Sequence, residues 1–179
     1  MAFLFLYLAI NYTYVKVIGF DNIKLLSFEL PAGYKNDVEF IQIPKMSWGE
    51  YNEFVARKLI DFIDTPYCLL IQTDGVIVNS NLWLDEFFDY DYIGAPKLKK
   101  EHLAGKDSVF SAPILMNGGL SLRNVKSLLR YIRYYSYFFK EWKANEDSMF
   151  SFAQKRSYPF RWLLKLPNWR IALEFSVEK

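Results

Sequence analysis

The chain contains 179 residues, of which 52% are apolar and 19% aromatic, and its net charge is +2. This composition excludes disordered and collagen-like proteins, because both lack the large apolar side chains that form a core. A single cysteine, Cys68, excludes a disulfide-stapled scaffold, and with one histidine it cannot complete a zinc site of nitrogen and sulfur ligands. We therefore expect one domain over residues 1–179, folded around its own core in a reducing compartment.

Charge is divided unequally along the chain. Residues 1–95 hold 6 Lys and Arg against 13 Asp and Glu, whereas residues 96–179 hold 16 against 7. A basic half rich in aromatic residues can meet nucleic acid, a membrane surface or a phosphorylated small molecule, or it can simply be solvated. Composition alone leaves these interpretations open.

The first ten residues are apolar, but a bilayer span needs about 20 such residues. No basic residue precedes this run, as it would in a signal peptide. We expect neither a signal peptide nor a transmembrane helix, and a cytoplasmic location. The spacing of apolar residues predicts a mostly buried helix over residues 3–18.

An alternation of strands and a helix follows. Residues 23–28 and 38–43 are apolar runs of strand length, and residues 67–71 are apolar throughout, which is typical of a strand covered on both faces. Between them, Ser47 and Glu50 form a capping-box pattern before a helix with apolar residues at helical spacing. Strand, helix and strand in this order predict an open parallel sheet, in which ligands bind beyond the carboxyl ends of the strands.

The residues after the strand at 67–71 are therefore candidates for chemistry. Gln72, Asp74 and Gly75 occupy this place, before a further apolar run at 76–78. An Asp between buried strands needs a partner, which a ligand can supply. The alternative is an Asp–Gly turn that closes a hairpin between the two runs.

Farther along, the sequence predicts a short helix at 81–88, a strand at 90–96 and a lysine-rich loop at 97–112. Gly118 and Gly119 lie between the apolar segments 114–116 and 120–122. Consecutive glycines there either let the backbone approach a ligand closely or permit a β-bulge.

The last predicted elements are a helix at 124–135 and a segment at 148–152 that follows Glu146 and Asp147. Two acidic residues at this position either stabilise a helix N-terminus by their charge or supply a general base and a hydrogen-bond acceptor.

Four motifs in this order resemble a poorly characterised domain family placed among the glycosyltransferases of the GT-A type. They are Gln72 to Gly75, the strand sequence at 90–96, Asn117 to Arg123, and Glu146 with Asp147. The resemblance spans about residues 6–152. It implies a three-layer α/β/α sandwich with a mixed, mainly parallel sheet, whose first strand is missing or shortened into residues 2–9. The core motifs would lie within 67–152, followed by a basic, aromatic extension at 153–179.

The resemblance also implies roles for particular residues. Asp74 would bind Mn²⁺ or Mg²⁺, which neutralises charge on a diphosphate leaving group. Asp147 would be the general base and Glu146 would hold the acceptor by hydrogen bonds. The donor would be bound by the residues around the two turns: Gln72, Asp74, Gly75, Asn117, Gly118 and Gly119.

The acidic motif departs from the usual pattern of two aspartates that flank one residue. A literal match exists at Asp89 and Asp91, at the start of the strand at 90–96. We prefer Asp74, because a ligand binds beyond the carboxyl end of a strand and not before its beginning.

The predicted function is that of a metal-dependent hexosyltransferase in glycan or surface polysaccharide synthesis. It would move a sugar from a nucleotide-diphosphate donor to a hydroxyl of a glycan or a lipid-linked acceptor, with peripheral membrane contact through the basic aromatic surface and no nucleic-acid partner. The alternative is a non-catalytic module that binds nucleic acid or another ligand through residues 123–170, by stacking and phosphate contacts.

Overall fold

The computed structural model of the chain describes residues 2–4, 22–31, 34, 38–73, 75–98 and 114–177, with the backbone alone at 2–4. The strands in these ranges are β1 Ala2–Leu4, β2 Ile23–Ser27, β3 Glu39–Gln42, β4 Tyr67–Ile71, β5 Tyr92–Pro96 and β6 Met116–Asn124. The α-helices there are α1 Trp48–Glu53, α2 Val125–Phe138, α3 Glu146–Ser151 and α4 Trp169–Phe175.

The strands form one sheet in the order β3-β2-β1-β4-β6-β5. β1 pairs in parallel with β2 and β4, and β2 pairs in parallel with β3. β6 runs antiparallel to both of its neighbours, β4 and β5. The predicted α/β class with a mixed sheet is therefore confirmed.

The helix predicted over residues 3–18 is wrong at its beginning. Residues 2–4 form β1, which lies between β2 and β4 in the sheet. A strand that is paired on both sides has the same unbroken apolar run as a buried helix, so the pattern did not separate the two. The expectation that residues 2–9 contain the first strand agrees with β1 at residues 2–4, whereas its shortening stays a prediction because residues 5–18 lie outside the described residues.

The strands predicted at 23–28 and 38–43 are present as β2 and β3, and the capped helix follows. The backbone N–H of Glu50 donates to Ser47 Oγ at 3.5 Å, and the Glu50 carboxylate accepts from the Ser47 N–H at 2.8 Å. The Ser47 hydroxyl also donates to this carboxylate at 2.7 Å, and this side-chain bond, followed by the Ser47 N–H bond, lowers the pKa of Glu50. After α1 the segment continues as a π-helix at Phe54–Lys58 and a 3₁₀ turn at Leu59–Phe62.

β4 is present where the sequence predicts it, and its residues 68–71 are buried. The hairpin alternative is wrong, because residues 75–79 form no strand. Both sides of β4 already pair with β1 and β6, so no hydrogen-bonding edge of β4 is left for a strand at 76–78.

β5 and β6 contain the largest irregularity of the sheet. Gly94 pairs with Ser121, but the next residue, Ala95, pairs with Asn117. The residues 118–120 of β6 thus bulge out of the pairing with β5. Of the two apolar segments predicted on either side of the glycines, Met116 and residues 120–122 belong to this one strand, and the β-bulge interpretation of the glycines is confirmed.

The short helix predicted at 81–88 is replaced by 3₁₀ turns at Ser80–Leu82 and Asp85–Asp89. Of the predicted loop at 97–112, residues 99–112 lie outside the described residues. α2 extends three residues beyond its predicted end at 135.

The C-terminal extension contributes to the core. Its elements are 3₁₀ turns at Ala153–Lys155 and Phe160–Trp162, followed by α4. The Phe175 ring of α4 packs edge-on against Phe87 at 5.3 Å and against Trp83 at 6.0 Å. Within the described parts of the chain, no helix combines the length and apolar character that a membrane span requires.

Candidate functional site

The predicted site residues that follow β4 lie where the strand order changes direction. From β1 the chain proceeds to β2 and β3 on one side, and β4 then pairs on the other side of β1. Connections that diverge from neighbouring parallel strands leave a crevice beyond their carboxyl ends. Gln72 is the first residue beyond β4 and therefore borders this crevice.

Gln72 is fixed by both its backbone and its side chain. Its backbone N–H donates to Gly119 O at 2.6 Å, and its Nε2 donates to the Tyr51 hydroxyl at 2.6 Å. The Gly75 N–H donates back to Gln72 O at 3.0 Å. The turn after β4 is thereby connected to the bulge of β6 and to α1, while Asp74 lies outside the described residues.

The bulge of β6 is held by its own polar groups. The Gly119 N–H donates to Asn117 Oδ1 at 2.7 Å, and Ser121 Oγ donates to Gly118 O at 2.9 Å. Across the bulge, a side chain at Gly94 would overlap the backbone oxygen of Asn117. Glycine is required at that position because the obstructing atom belongs to the backbone and cannot turn away.

Glu146 lies against the backbone of the same bulge. A methyl group added to Gly118 would overlap Glu146 Oε1, so the missing side chain makes room for this carboxylate. Glu146 is buried at the first turn of α3, and its N–H donates to Asn52 Oδ1 at 2.9 Å. Asn52 is itself buried and donates to Trp48 O at 2.8 Å, so α1 positions the start of α3.

Arg123 brings a positive charge to the same space beside Gly118. Its Nη2 lies 3.4 Å from the point that a Gly118 methyl carbon would occupy. The guanidinium carbon is 5.6 Å from the ring centroids of both Tyr92 and Phe150. Arg123 is only 3% exposed, which makes it a buried cation on a strand.

The donors of Arg123 are partly used. Its Nε donates to Ser121 Oγ at 3.0 Å and its Nη1 to Val55 O at 3.3 Å. Its Nη2 is buried and has no hydrogen-bond partner among the described residues. A buried unpaired donor is costly, so this atom is suited to an anionic group that enters the site.

Asp147 follows Glu146 in the first turn of α3 and is less buried than its neighbour. The Asp147 carboxylate interacts electrostatically with the Tyr92 hydroxyl. Burial raises the pKa of Tyr92, the nearby Arg123 opposes this rise, and Glu146 and Asp147 add to it. The Tyr92 phenol therefore stays protonated and donates to Met116 O at 3.3 Å.

The structure thus brings most of the predicted site residues together. Gln72 and Gly75 meet the bulge at Gly119, and Glu146 meets it at Gly118. Asp89 and Asp91 lie elsewhere, before β5, at the opposite ends of these strands. There Asp91 Oδ2 accepts from the Lys165 N–H at 2.7 Å, which is a structural role.

Sequence reasoning missed Arg123 and Asn52 as site residues. Arg123 is the last residue of the motif that begins at Asn117, and no role was predicted for it. A charged residue at the end of a buried apolar strand nevertheless indicates a specific environment. Asn52 carried no such signal, because a polar residue within an amphipathic helix usually faces solvent.

Comparison with known proteins gives one match. The model of a family described as "Protein of unknown function (DUF5672)" matches residues 38–179, which is more than three quarters of the chain. No curated protein and no solved structure matches. The matched range includes β3 to β6, the glycine bulge, Arg123 and the acidic pair at the start of α3. The chain belongs to the DUF5672 family.

Proposed function

We propose that the protein is a glycosyltransferase that moves a sugar from a nucleotide-diphosphate donor to a hydroxyl acceptor. One observation carries the proposal. Beyond the carboxyl end of β4, where the strand order changes direction, a glycine bulge of β6 lies against the buried Glu146, and Asp147 follows it. This crevice is where open α/β sheets bind nucleotides and related ligands.

The proposed architecture is the three-layer sandwich of the GT-A type. Its support is the run of parallel pairings through β3, β2, β1 and β4, followed by the antiparallel β6. The charge distribution of the chain adds to this support, because a donor with two phosphate groups needs a positive environment and Arg123 lies buried beside the bulge.

The donor would contact the side chains around the bulge more than its backbone. Gly118 and Gly119 are buried, and the Glu146 carboxylate occupies the space beside Gly118 that the absent Cβ leaves. Gln72 and Asn117 add amide groups that are already oriented by their hydrogen bonds to Tyr51 and Gly119. Preorganised groups cost little entropy when a ligand binds.

In the proposed reaction, the acceptor oxygen forms a bond to the anomeric carbon of the sugar. The bond from this carbon to the diphosphate oxygen breaks, and the nucleoside diphosphate leaves with the electron pair. The acceptor proton passes to the Asp147 carboxylate, which follows Glu146 in the first turn of α3 and would act as the general base of an inverting transfer. Glu146, anchored through Asn52, orients the acceptor hydroxyl.

In this proposal, Asp74 would bind a divalent cation. Asp74 lies outside the described residues, and it would hold the cation together with the diphosphate of the donor. Mg²⁺ is often held by one or two carboxylates with substrate phosphates and waters. Bound there, the cation would supply charge neutralisation on the leaving diphosphate.

The test is a thermal-shift screen of the purified chain against nucleoside diphosphates and nucleotide sugars, with and without Mn²⁺. A ligand that binds the folded state raises the melting temperature with its concentration, so a true donor is expected to do so. A chain that melts cooperatively and shows no shift with any nucleotide would overturn the proposal.

Variants then separate binding from chemistry. Asp147→Asn is expected to lower the turnover of the identified donor at least about 100-fold, while the melting shift remains. Glu146→Gln is expected to raise the acceptor KM more than it lowers kcat. Glu174→Gln is the matched control, because Glu174 is exposed on α4 and away from the bulge. Full turnover in Asp147→Asn would remove that residue from the mechanism.

A further inference from the structure

Exposed aromatic side chains lie at the end of α2 and around the turn at Phe160–Trp162. Four of them, Tyr137, Phe138, Tyr158 and Trp162, form what we call the aromatic ridge. Tyr137 is 84% exposed and Trp162 is 71% exposed. The buried Phe160 joins the two parts, because Phe138 contacts it at 5.7 Å and Trp162 lies in the same turn.

A basic groove of about 430 Å³ runs along the same helix. Lys126, Arg130 and Arg133 line it from positions that recur every three to four residues, and Tyr134 lies beside them. Arg130 Nη2 donates to Leu163 O at 2.9 Å, which ties the groove to the segment that carries Trp162. Groove and ridge are thus parts of one surface.

Among the described residues, no ion pair joins Lys126, Arg130, Arg133 or Arg161 to an acid. Arg161 lies 5.8 Å from the Trp162 ring, and Arg133 precedes Tyr137 by one helical turn. Residues 125–165 contain only three acids. Of these, Glu141 pairs with Lys143 at 3.1 Å, and Glu146 and Asp147 belong to the site beyond β4.

The geometry points to an anionic phospholipid bilayer as the partner of this surface. Tyr and Trp favour the interface between headgroups and acyl chains, and Phe138 adds a purely apolar ring. Lys126, Arg130 and Arg133 of the groove would bind anionic headgroups beside the ridge. This inference does not depend on the transferase proposal, although it would bring the enzyme to a lipid-linked acceptor.

A single-stranded nucleic acid fits the ridge less well. Bases stack on open faces of aromatic rings. Here Tyr137 and Phe138 meet edge to face at 82°, and Tyr158 and Trp162 do so at 86°. In each pair one ring covers a face of the other, whereas insertion into a bilayer needs only the bulk of the rings.

The experiment is co-sedimentation of the full chain with two kinds of vesicle. One is phosphatidylcholine alone, and the other contains equal parts of phosphatidylcholine and phosphatidylglycerol. Binding is expected to the anionic vesicles, to weaken as salt is added, and to be much lower on phosphatidylcholine. No binding to anionic vesicles at low salt, or equal binding to both kinds, would overturn the inference.

Variants assign the binding to this surface. Tyr137→Ser combined with Trp162→Ser is expected to lower the partition coefficient at least about tenfold. Arg133→Gln and Arg161→Gln are each expected to lower it about fivefold, the factor that corresponds to about 1 kcal/mol per basic residue. Trp48→Ser and Lys45→Gln are the matched controls, because Trp48 is 69% exposed and Lys45 is exposed, both beyond β3.

An equal loss in the control variants would show binding that is not specific to the ridge, and would overturn the assignment. Tight, salt-dependent binding of a fluorescent oligouridylate that the ridge variants abolish, without vesicle binding, would identify a nucleic-acid surface instead. If the double variant fails to fold, brominated phosphatidylglycerol provides the second measurement. It is expected to quench the tryptophan emission of the bound wild-type chain, with less quenching in Trp162→Phe.

Discussion

The two ends of strands β4, β5 and β6 use their polar residues differently. At the end where β4 begins, the polar groups bond to one another: Asn124 Nδ2 donates to the Tyr67 hydroxyl at 3.2 Å, which donates to Phe88 O at 2.7 Å. Toward the other end, the Arg123 side chain extends from its position opposite Cys68 to Gly118, where its Nη2 is buried without a hydrogen-bond partner among the described residues, and Glu146 lies against bare backbone. Groups that are already bonded stabilise the fold, whereas charges held without full compensation indicate a site for a ligand.

Gly94→Ala is expected to have the largest effect on stability, and it tests the difference between the two ends of the strands. The added methyl group overlaps the Asn117 backbone oxygen, so the bulge itself must shift. We expect a loss of about 3 kcal/mol in the free energy of unfolding, at the upper end for overpacking, measured by urea denaturation. A variant as stable as the wild type would show that the bulge is not rigid, and the distinction between the two ends would weaken.

Gly118→Ala is expected to have the next largest effect. Its methyl group meets the end of the Glu146 side chain, which can move more readily than backbone. We expect a loss of about 1 to 2 kcal/mol together with loss of the nucleotide-dependent melting shift. Gly49→Ala is the control for a glycine substitution, because nothing lies within 4 Å of a methyl group there. It is expected to raise stability slightly, by up to about 1 kcal/mol.

Asp91→Ala tests the opposite end of the strands. It removes the carboxylate that accepts from the Lys165 N–H at 2.7 Å. Because Asp91 is half-buried, we expect a loss of about 1 kcal/mol in the free energy of unfolding, with nucleotide binding unchanged. Loss of nucleotide binding without loss of stability would assign Asp91 to the site and reverse our preference for Asp74.

Ser47→Ala tests the helix α1, which positions Tyr51 and Asn52 at the site. Loss of the cap is expected to cost about 0.5 to 1 kcal/mol at neutral pH. The hydrogen bonds of Ser47 hold the pKa of Glu50 below its ordinary value of 4.5. The stabilisation from a lowered pKa is complete above the unfolded value and disappears as the pH falls through the folded one.

The difference in stability between wild type and Ser47→Ala is therefore expected to shrink below about pH 4.5, the ordinary value for Glu50. Urea denaturation at neutral and acidic pH measures it. A difference that does not change with pH would exclude the Glu50 carboxylate from the cap.

Much of the candidate site was predictable from local signals. Gln72 and Gly75 follow a buried strand, and Glu146 and Asp147 begin a helix, which are patterns that neighbouring residues define. Arg123 was not predictable in its role, because its neighbours Tyr92 and Phe150 are distant in sequence. The roles of the site residues stay predictions until the nucleotide and variant experiments are done.

The sequence by itself determined the capping box at Ser47 and the buried strand β4, and it offered the glycine bulge and the acidic start of α3 each as one of two interpretations. These depend on periodicity and on backbone preferences of nearby residues. Only the tertiary structure decided that residues 2–4 form a central strand, that residues 76–78 do not form a strand, and that Glu146 meets Gly118 beside Arg123. Those outcomes depend on which distant segments pair and pack, and hydrophobic patterning along the chain does not encode the choice of partner.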